Sequence, residues 1–329
     1  MNQTSKMVVR SALVSTWLVV GAVACGSSEK GSSEPTASAE ASSSSSSSAS
    51  TSSSAAKEPA APKPAVEWTG FSTPESVLID DDRYCVSNVN GKALEADNNG
   101  FISELSPDGQ VKNLKWIEGG KNKVTLNAPK GMALAGGVLY VADLDTVRMF
   151  DAKSGAPKGE VKIPKATFLN DVAAGPDGKI YVTDSGLKQG ASDFEPSGTD
   201  AVWVIEKGKA KALAQSADLN KPNGVTVDAR GVWVSTFGAA EVFLLGADGK
   251  KGEVLKTPAP SLDGLAWVGD KVLVSSWQSK TIYVGSAGKF EAVLTNLAAP
   301  ADFGVDVKRG RVVVPRFMDN VVQAYELAL

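Results

Sequence analysis

From about Val66 onward, short runs of Val, Ile, Leu, Tyr and Trp alternate with polar residues at the period of a β-strand, and Gly and Asp punctuate the runs. Six segments repeat one form: a polar residue, a short strand, a tight turn and a second strand. They are PESVLIDDDRYCVSNV (74–89), PKGMALAGGVLYVADL (129–144), LNDVAAGPDGKIYVTDS (169–185), PNGVTVDARGVWVSTF (222–237), LDGLAWVGDKVLVSSW (262–277) and ADFGVDVKRGRVVVPRF (301–317). In the fourth copy, residues 225–228 read as the first strand, 229–231 as the turn and 232–236 as the second strand, with Asn223 at the mouth. Third strands follow, as at 202–206, 241–245, 281–285 and 321–325, and most copies add a fourth, as at 110–116, 252–256 and 290–295.

One such unit cannot bury both of its faces alone, so repetition at this period implies stacking of like units. Four short antiparallel strands repeated six times predict an all-β chain folded as a six-bladed β-propeller over residues 65–329. The last copy ends in its third strand, and residues 66–70 (VEWTG) read as its missing fourth, which would close the ring. Turns between first and second strands are all tight. The long connections fall between second and third strands (88–99 and 184–199) and between blades (117–128). In an up-and-down sheet these long loops share one face with the start of every first strand, and a binding site is expected there.

The N-terminal residues have a different character. In residues 1–25, Lys6 and Arg10 precede an apolar run at 11–23, and Ala22-Val23-Ala24-Cys25 resembles the lipobox of a bacterial lipoprotein signal. That reading makes Cys25 the lipidation site and implies an exported protein anchored in the bacterial cell envelope, on the outer membrane where there are two. An ordinary secretory signal cleaved near Ala24 is the alternative. Residues 26–64 are rich in Ser, Ala and Pro with almost no large apolar residue, the composition of a disordered tether. Its r.m.s. reach would be on the order of 35 Å.

Composition removes several chemistries. With no histidine, Ser-His-Asp and Cys-His catalysis and His-ligated zinc or haem are excluded. With Cys25 lipidated, Cys85 is the remaining thiol, so an internal disulfide is excluded, and Cys85 reads as a buried strand residue. A net charge of −3 without a block of Lys and Arg argues against nucleic acid as a partner. A small-molecule substrate or ligand is the expected partner, and a monomer the expected state.

Aligning the repeats puts one polar residue per blade at the mouth: Glu75, Lys130, Asn170, Asn223, Asp263 and Asp302, spaced by 55, 40, 53, 40 and 39 residues. Three carboxylates, two carboxamides and one ammonium around a point suit a hard divalent cation. Ca²⁺ takes about 6–8 oxygen ligands and accepts carboxamide oxygens and water, whereas Mg²⁺ wants a tighter octahedron.

On these residues the chain resembles the six-bladed propellers of the gluconolactonase, senescence-marker protein and luciferin-regenerating-enzyme group, within the calcium-dependent phosphotriesterase superfamily. In hydrolases of that group a Glu in the first blade, Asn in the third and fourth, and Asp in the fifth hold the catalytic metal. The resemblance therefore implies Ca²⁺ (or another divalent cation) on Glu75 in TPESV, Asn170 in LNDVA, Asn223 in KPNGV and Asp263 in LDGLA. It implies hydrolysis of a lactone, sugar lactone or phosphoester, with the metal as Lewis acid and Asp263 as general base or nucleophile. Lys130, Asp302, Trp277, Phe237 and Arg316 would line the substrate pocket, and loop 184–199 would cover it. Lys130 departs from the pattern, since its ammonium could replace the metal, and the paraoxonase-type histidine pair is absent. A non-catalytic ligand- or partner-binding propeller with a degenerate metal site is the alternative. Taken singly, Glu75, Asn170 and Asn223 could instead cap strand ends, and Asp143 and Asp184 read as turn residues.

Overall fold

The computed structural model describes residues 62–286 and 288–328; the expected signal at 1–25 with Cys25, and almost all of the expected tether at 26–64, lie outside them. Strands form six four-stranded antiparallel sheets, five of them built from successive stretches of the chain and the sixth from both ends of the propeller. Blade one consists of Pro74–Asp80, Arg83–Asn88, Phe101–Leu105 and Val111–Glu118. The inner strands of blades two to six are Pro129–Ala135, Leu169–Ala174, Pro222–Asp228, Leu262–Val268 and Gly304–Asp306. The inner strands of blades one to five pack side by side in order, that of blade six packs on blade one, and blade five meets residues 301–303 at the start of blade six. The chain is a six-bladed β-propeller.

Closure occurs where the sequence predicts it. Val66–Trp68 pairs on Val321–Glu326 as the outer strand of blade six, with Val66 opposite Ala324 and Trp68 opposite Val322. Loop 184–199, expected as a long connection, folds into a small hairpin of Leu187–Gln189 against Phe194–Pro196.

Because every sheet is covered on both faces, the core is divided into slabs, each lying between two blades. Trp68, Tyr84, Leu105, Val313 and Ala324 fill the joint between blades six and one, and Ile102, Leu126, Leu139 and Val141 the joint between blades one and two. Four further slabs complete the circuit. Cys85 is buried and free, as its strand position predicts. Outer strands are the exposed edges of this design, and they carry lysines: Lys112, Lys158, Lys162, Lys209 and Lys211 all face solvent. Charge on an open edge opposes pairing with another chain.

One edge carries a testable ion pair. Glu241 opens the third strand of blade four and accepts hydrogen bonds from Lys251 Nζ and, at 2.7 Å, from Lys256 Nζ on the fourth strand. Burial works against its charge, but the two ammonium groups prevail and hold its carboxyl down at about 2. The folded value lies below the unfolded one, so this stabilisation is present at neutral pH and fades as pH falls from 4.5 toward 2. Glu241→Gln is expected to lower the urea midpoint at neutral pH, and titrating both proteins into acid should bring the two midpoints together.

Candidate functional site

The start of each inner strand contains one residue too many for its partner. In blade one Pro74 pairs with Asn88 and Val77 with Val86, so Glu75 and Ser76 share a single step of the second strand. The same shift separates Pro129 from Met132, Leu169 from Val172, Pro222 from Val225, and Leu262 from Leu265. In blade six Pro300 bridges Arg316 while Gly304 pairs with Val313, and Asp302 falls in the equivalent gap. A β-bulge re-aims the side chain it carries. Here it places Glu75, Lys130, Asn170, Asn223, Asp263 and Asp302 at one level of the ring.

A bulge also frees backbone groups, and hydroxyls on the second strands take them up. Asp171 N–H donates to Thr183 Oγ1 at 3.0 Å, and Thr183 Oγ1 donates to Asn223 O in the next blade. Gly264 N–H donates to Ser275 Oγ at 2.9 Å, which donates to Ala301 O at 3.1 Å. Ser235 Oγ donates to Asp263 O at 2.6 Å, and Ser76 N–H to Ser87 Oγ at 2.9 Å. Blades six and one join directly, through Asp302 N–H to Glu75 O at 2.9 Å and Val77 N–H to Asp302 O at 3.0 Å. The approach is so close that a Cβ on Gly224 would lie 2.3 Å from Asp263 O. The candidate side chains are thus held by the joints of the ring.

The chemistry of the ring is that of crowded oxygen. Glu75 Oε2, Asn223 Oδ1 and Asp263 Oδ1 are buried without a hydrogen-bond partner. Each such atom costs about 1–3 kcal/mol if nothing satisfies it. Asn170 Nδ2 donates to Ser185 Oγ at 3.2 Å, which turns its carboxamide oxygen away from that hydroxyl. Burial first, then repulsion from Asp263 and Asp302, pushes the Glu75 carboxyl well above the usual range. Burial and then Asp302 do the same to Asp263, opposed by the Trp277 indole. Burial pushes Asp302 up to about 7 although Ser76 Oγ donates to it. Among the described residues no three His, Cys, Asp and Glu side chains are grouped to hold a metal. The candidate set has two carboxylates, and its other donors are carboxamides.

Asp171 joins this group, and sequence reasoning missed it. Its Oδ2 accepts from Val225 N–H at 2.7 Å and its Oδ1 from Val172 N–H at 2.6 Å. Burial and the nearby Asp302 push its carboxyl well above the ordinary range. The signal was available: the place after each candidate residue holds Ser76, Gly131, Asp171, Gly224, Gly264 and Phe303, and blade three alone puts an acid there.

Lys130 is buried, yet its Nζ leaves the acids unpaired. It donates to Ala93 O at 3.1 Å and Ala128 O at 3.0 Å and lies 4.7 Å from the centre of the Phe168 ring. Burial pushes its pKa down, and Glu75 and Asp143 pull it back. Phe168 in turn packs edge-to-face on Phe194 of the hairpin, 5.5 Å between centroids. Loops 88–99 and 184–199 therefore close over the blade-two and blade-three side of the mouth.

The remaining expected pocket residues divide. Phe237 and Trp277 end second strands and meet edge-to-face at 5.9 Å, and Trp277 continues onto Phe317 at 5.2 Å. Arg316 instead bonds Gln323 Oε1 at 3.1 Å and ion-pairs with Asp319, both in its own blade. Asp143 and Asp184, read as turn residues, are the last residues of their strands and clamp the adjoining loops: Asp143 Oδ1 accepts from Asn127 and Ala128 N–H, and Asp184 Oδ1 from Phe168 and Gly186 N–H. Two cavities lie elsewhere, one of ≈ 650 Å³ among the inner turns at Ala135, Gly175 and Ala229, the other of ≈ 160 Å³ beside Arg230 and Phe290.

No protein-family model matches the chain, and no curated protein matches it. Solved structures do. One, from a nidogen/laminin complex, aligns with a TM-score of 0.55 and 17% identity over 67% of this chain and 80% of that chain. Another is a catalytically inactive virginiamycin B lyase from Staphylococcus aureus with quinupristin, with a TM-score of 0.53 and 14% identity over 78% of this chain and 95% of that chain. At such identities the likeness carries the fold alone, and it agrees with the six four-stranded blades: this chain is a six-bladed β-propeller.

Proposed function

We propose that the axial mouth holds a divalent cation, Ca²⁺ above others, and hydrolyses a lactone, ester or phosphoester of a small molecule. The observation that carries this reading is the trio of buried, unpartnered oxygens, Glu75 Oε2, Asn223 Oδ1 and Asp263 Oδ1. They belong to three of the four residues that the gluconolactonase-like resemblance assigns to the metal, with Asn170 the fourth. When bound, the cation polarises the scissile carbonyl or phosphoryl oxygen and makes water more acidic. Asp263, with one oxygen free and its carboxyl raised by burial, is suited to take the proton of the attacking water. Lys130 is compatible with the reading, because its ammonium hydrogen-bonds to Ala93 O and Ala128 O, although Glu75 still feels its charge.

Calorimetric titration of Ca²⁺, Mg²⁺, Mn²⁺ and Zn²⁺ tests the cation directly, with Asn223→Ala and Asp263→Ala as controls. Saturable Ca²⁺ binding lost in both variants is expected; no binding tighter than millimolar would remove the proposal. A cation that binds the folded chain alone also stabilises it, by about 2.7 kcal/mol at a concentration one hundred times its Kd. The melting temperature should therefore rise with Ca²⁺ and stay unchanged in Asp263→Ala.

The propeller is further proposed to be exported and lipid-anchored through Cys25, on the strength of the lipobox-like Ala22-Val23-Ala24-Cys25 and the Ser-rich residues that follow. Cys25→Ser should move the protein from the membrane fraction to the soluble fraction of the host envelope. Equal distribution of both forms would argue for an ordinary secretory signal.

A further inference from the structure

At one joint of the ring, away from the mouth, the repeat breaks. Near the end of the third strand five blades place a large buried side chain: Leu105, Phe150, Ile205, Leu245 and Tyr325, paired with Tyr84, Leu139, Ile180, Val232 and Val312. Blade five has Gly285 there, paired with Val272. On the inner strand at the same step stand Ile79, Leu134, Ala174, Val227 and Val305, but Trp267 in blade five. Phe290 lies across from Gly285, where an added Cβ would come within 2.5 Å of its ring. The space left between blades four and five is the cavity of ≈ 160 Å³. Half-buried Trp267 and Phe290 form its apolar walls, and Arg230, Glu253 and Asp270 its polar rim. Arg230 is fixed in place: Nε donates to Asp228 Oδ2 at 2.8 Å, and the guanidinium lies 3.8 Å from the Trp267 ring centre. A bulge sets Gly252 and Glu253 together between the pairs Leu245–Lys251 and Phe243–Val254, which re-aims Glu253. The carboxylates of Glu253 and Asp270 have no partner among the described residues. Arg230 and Asp270 belong to turns between first and second strands, and Gly285 and Phe290 flank a turn between third and fourth, so the cavity lies on the side opposite the long loops.

We infer that this slot binds one uncharged pyranose ring, at a site separate from the axial mouth and independent of any cation there. Size sets the first limit, since a cavity of about 150 Å³ holds a single six-membered ring such as benzene. The rim then chooses among rings. A pyranose carries hydroxyls around its edge and C–H groups on its faces. Its hydroxyls donate to the unpartnered carboxylates of Glu253 and Asp270 and accept from Arg230, bonds strengthened by the charge on the protein side. Its C–H face covers Trp267 and Phe290 and removes their half-exposed surface from water. A benzenoid ring fits the same walls but offers the carboxylates nothing in exchange for their water. Two acids face one guanidinium that Asp228 already neutralises, so a phosphate or a uronate is repelled. An unfilled joint forfeits packing that the other five blades keep, and a local rule broken at one place marks a functional site.

Saturation-transfer NMR and calorimetry on the full-length protein, with chelator present, test the slot directly. The probes are methyl α-D-glucopyranoside, methyl β-D-galactopyranoside and N-acetyl-D-glucosamine, with phenol and benzylamine as comparison rings. At least one pyranose should bind saturably in the millimolar range, more tightly than either comparison ring. Glu253→Gln and Asp270→Asn, both at exposed positions that leave the fold intact, should each weaken that binding about tenfold. The double variant Gly285→Leu with Phe290→Ala restores the leucine of blades one and four and removes the ring it would strike. It should abolish binding while the sheet signal in circular dichroism is kept. A trisaccharide of the sugar that binds separates two sources: tighter binding than the single ring points to a glycan end, weaker binding to a free sugar, and both uphold the site. Tighter binding of phenol or benzylamine than of every pyranose would overturn the ligand class. Absence of saturable pyranose binding, or binding that none of the variants weakens, would overturn the site.

Discussion

Replacing Asp263 with alanine is expected to lower cation-dependent turnover by at least roughly 10³-fold, because the proposed function gives one side chain the roles of both ligand and base. The same position predicts an unusual stability pattern. Asp263 is buried, one of its oxygens has no partner, and Asp302 repels it. A buried charge without compensation destabilises the fold, and an amide of equal shape relieves that cost. Asp263→Asn should therefore be at least as stable as the wild type in chelator. With Ca²⁺ present the order should reverse, because the wild type alone gains the full binding energy. Urea unfolding of both proteins, with chelator and with saturating Ca²⁺, reads this directly. Parallel curves with no reversal would mean that the carboxylates are accommodated without a cation.

The second large effect concerns the closing strand. Trp68→Ala should cost about 3–5 kcal/mol, the range for emptying a buried aromatic site, and lower the melting temperature by roughly 10 °C. Trp68 is 1% exposed and meets Tyr84 edge-to-face at 5.8 Å, so it fastens the three-residue N-terminal strand to blade one as well as blade six. Around it Tyr84 O–H donates to Asp306, and Arg309 Nη1 reaches the same carboxylate at 2.9 Å. A propeller has no edge inside its ring, and opening one joint exposes two sheet faces at once. The neighbouring Val66, half-exposed at the end of the strand, should cost far less when changed to Ala, which separates the seam from general sensitivity. A Trp68→Ala loss no greater than that of Val66→Ala would show that the ring is held mainly by blade six's other strands.

The two predictions concern features that the sequence reveals unequally. The ring-closing role of residues 66–70 is legible because the sixth copy stops one strand short, and counting strands assigns the missing one. The metal-ligand candidates are legible as repeat-equivalent positions, one per blade. Asp171 is not, because reading one residue per copy passes over the second residue of the bulge. The hydroxyls of Ser87, Thr183, Ser235 and Ser275 were also passed over as ordinary strand residues, though each reaches an inner-strand bulge. Phe317 escaped notice beside Phe237 and Trp277, since a single aromatic at a strand end usually packs a blade. Arg316 was given a place in the pocket from its position, but its planar guanidinium found Asp319 and Gln323 nearer.

Alternation, turn residues and a sixfold repeat by themselves determined the blade, the number of blades and the face on which the mouth opens. These follow from local periodicity and chain order, which need no knowledge of side-chain direction. Tertiary structure alone decided which oxygens in the mouth lack a partner and where Lys130 points. Both depend on contacts between blades distant in sequence, such as Lys130 with Ala93 and Phe168, set by the bulges and joints of the closed ring. The ammonium bonds to the backbone of Ala93 and Ala128 and lies over the face of Phe168; no repeat pattern encodes that choice.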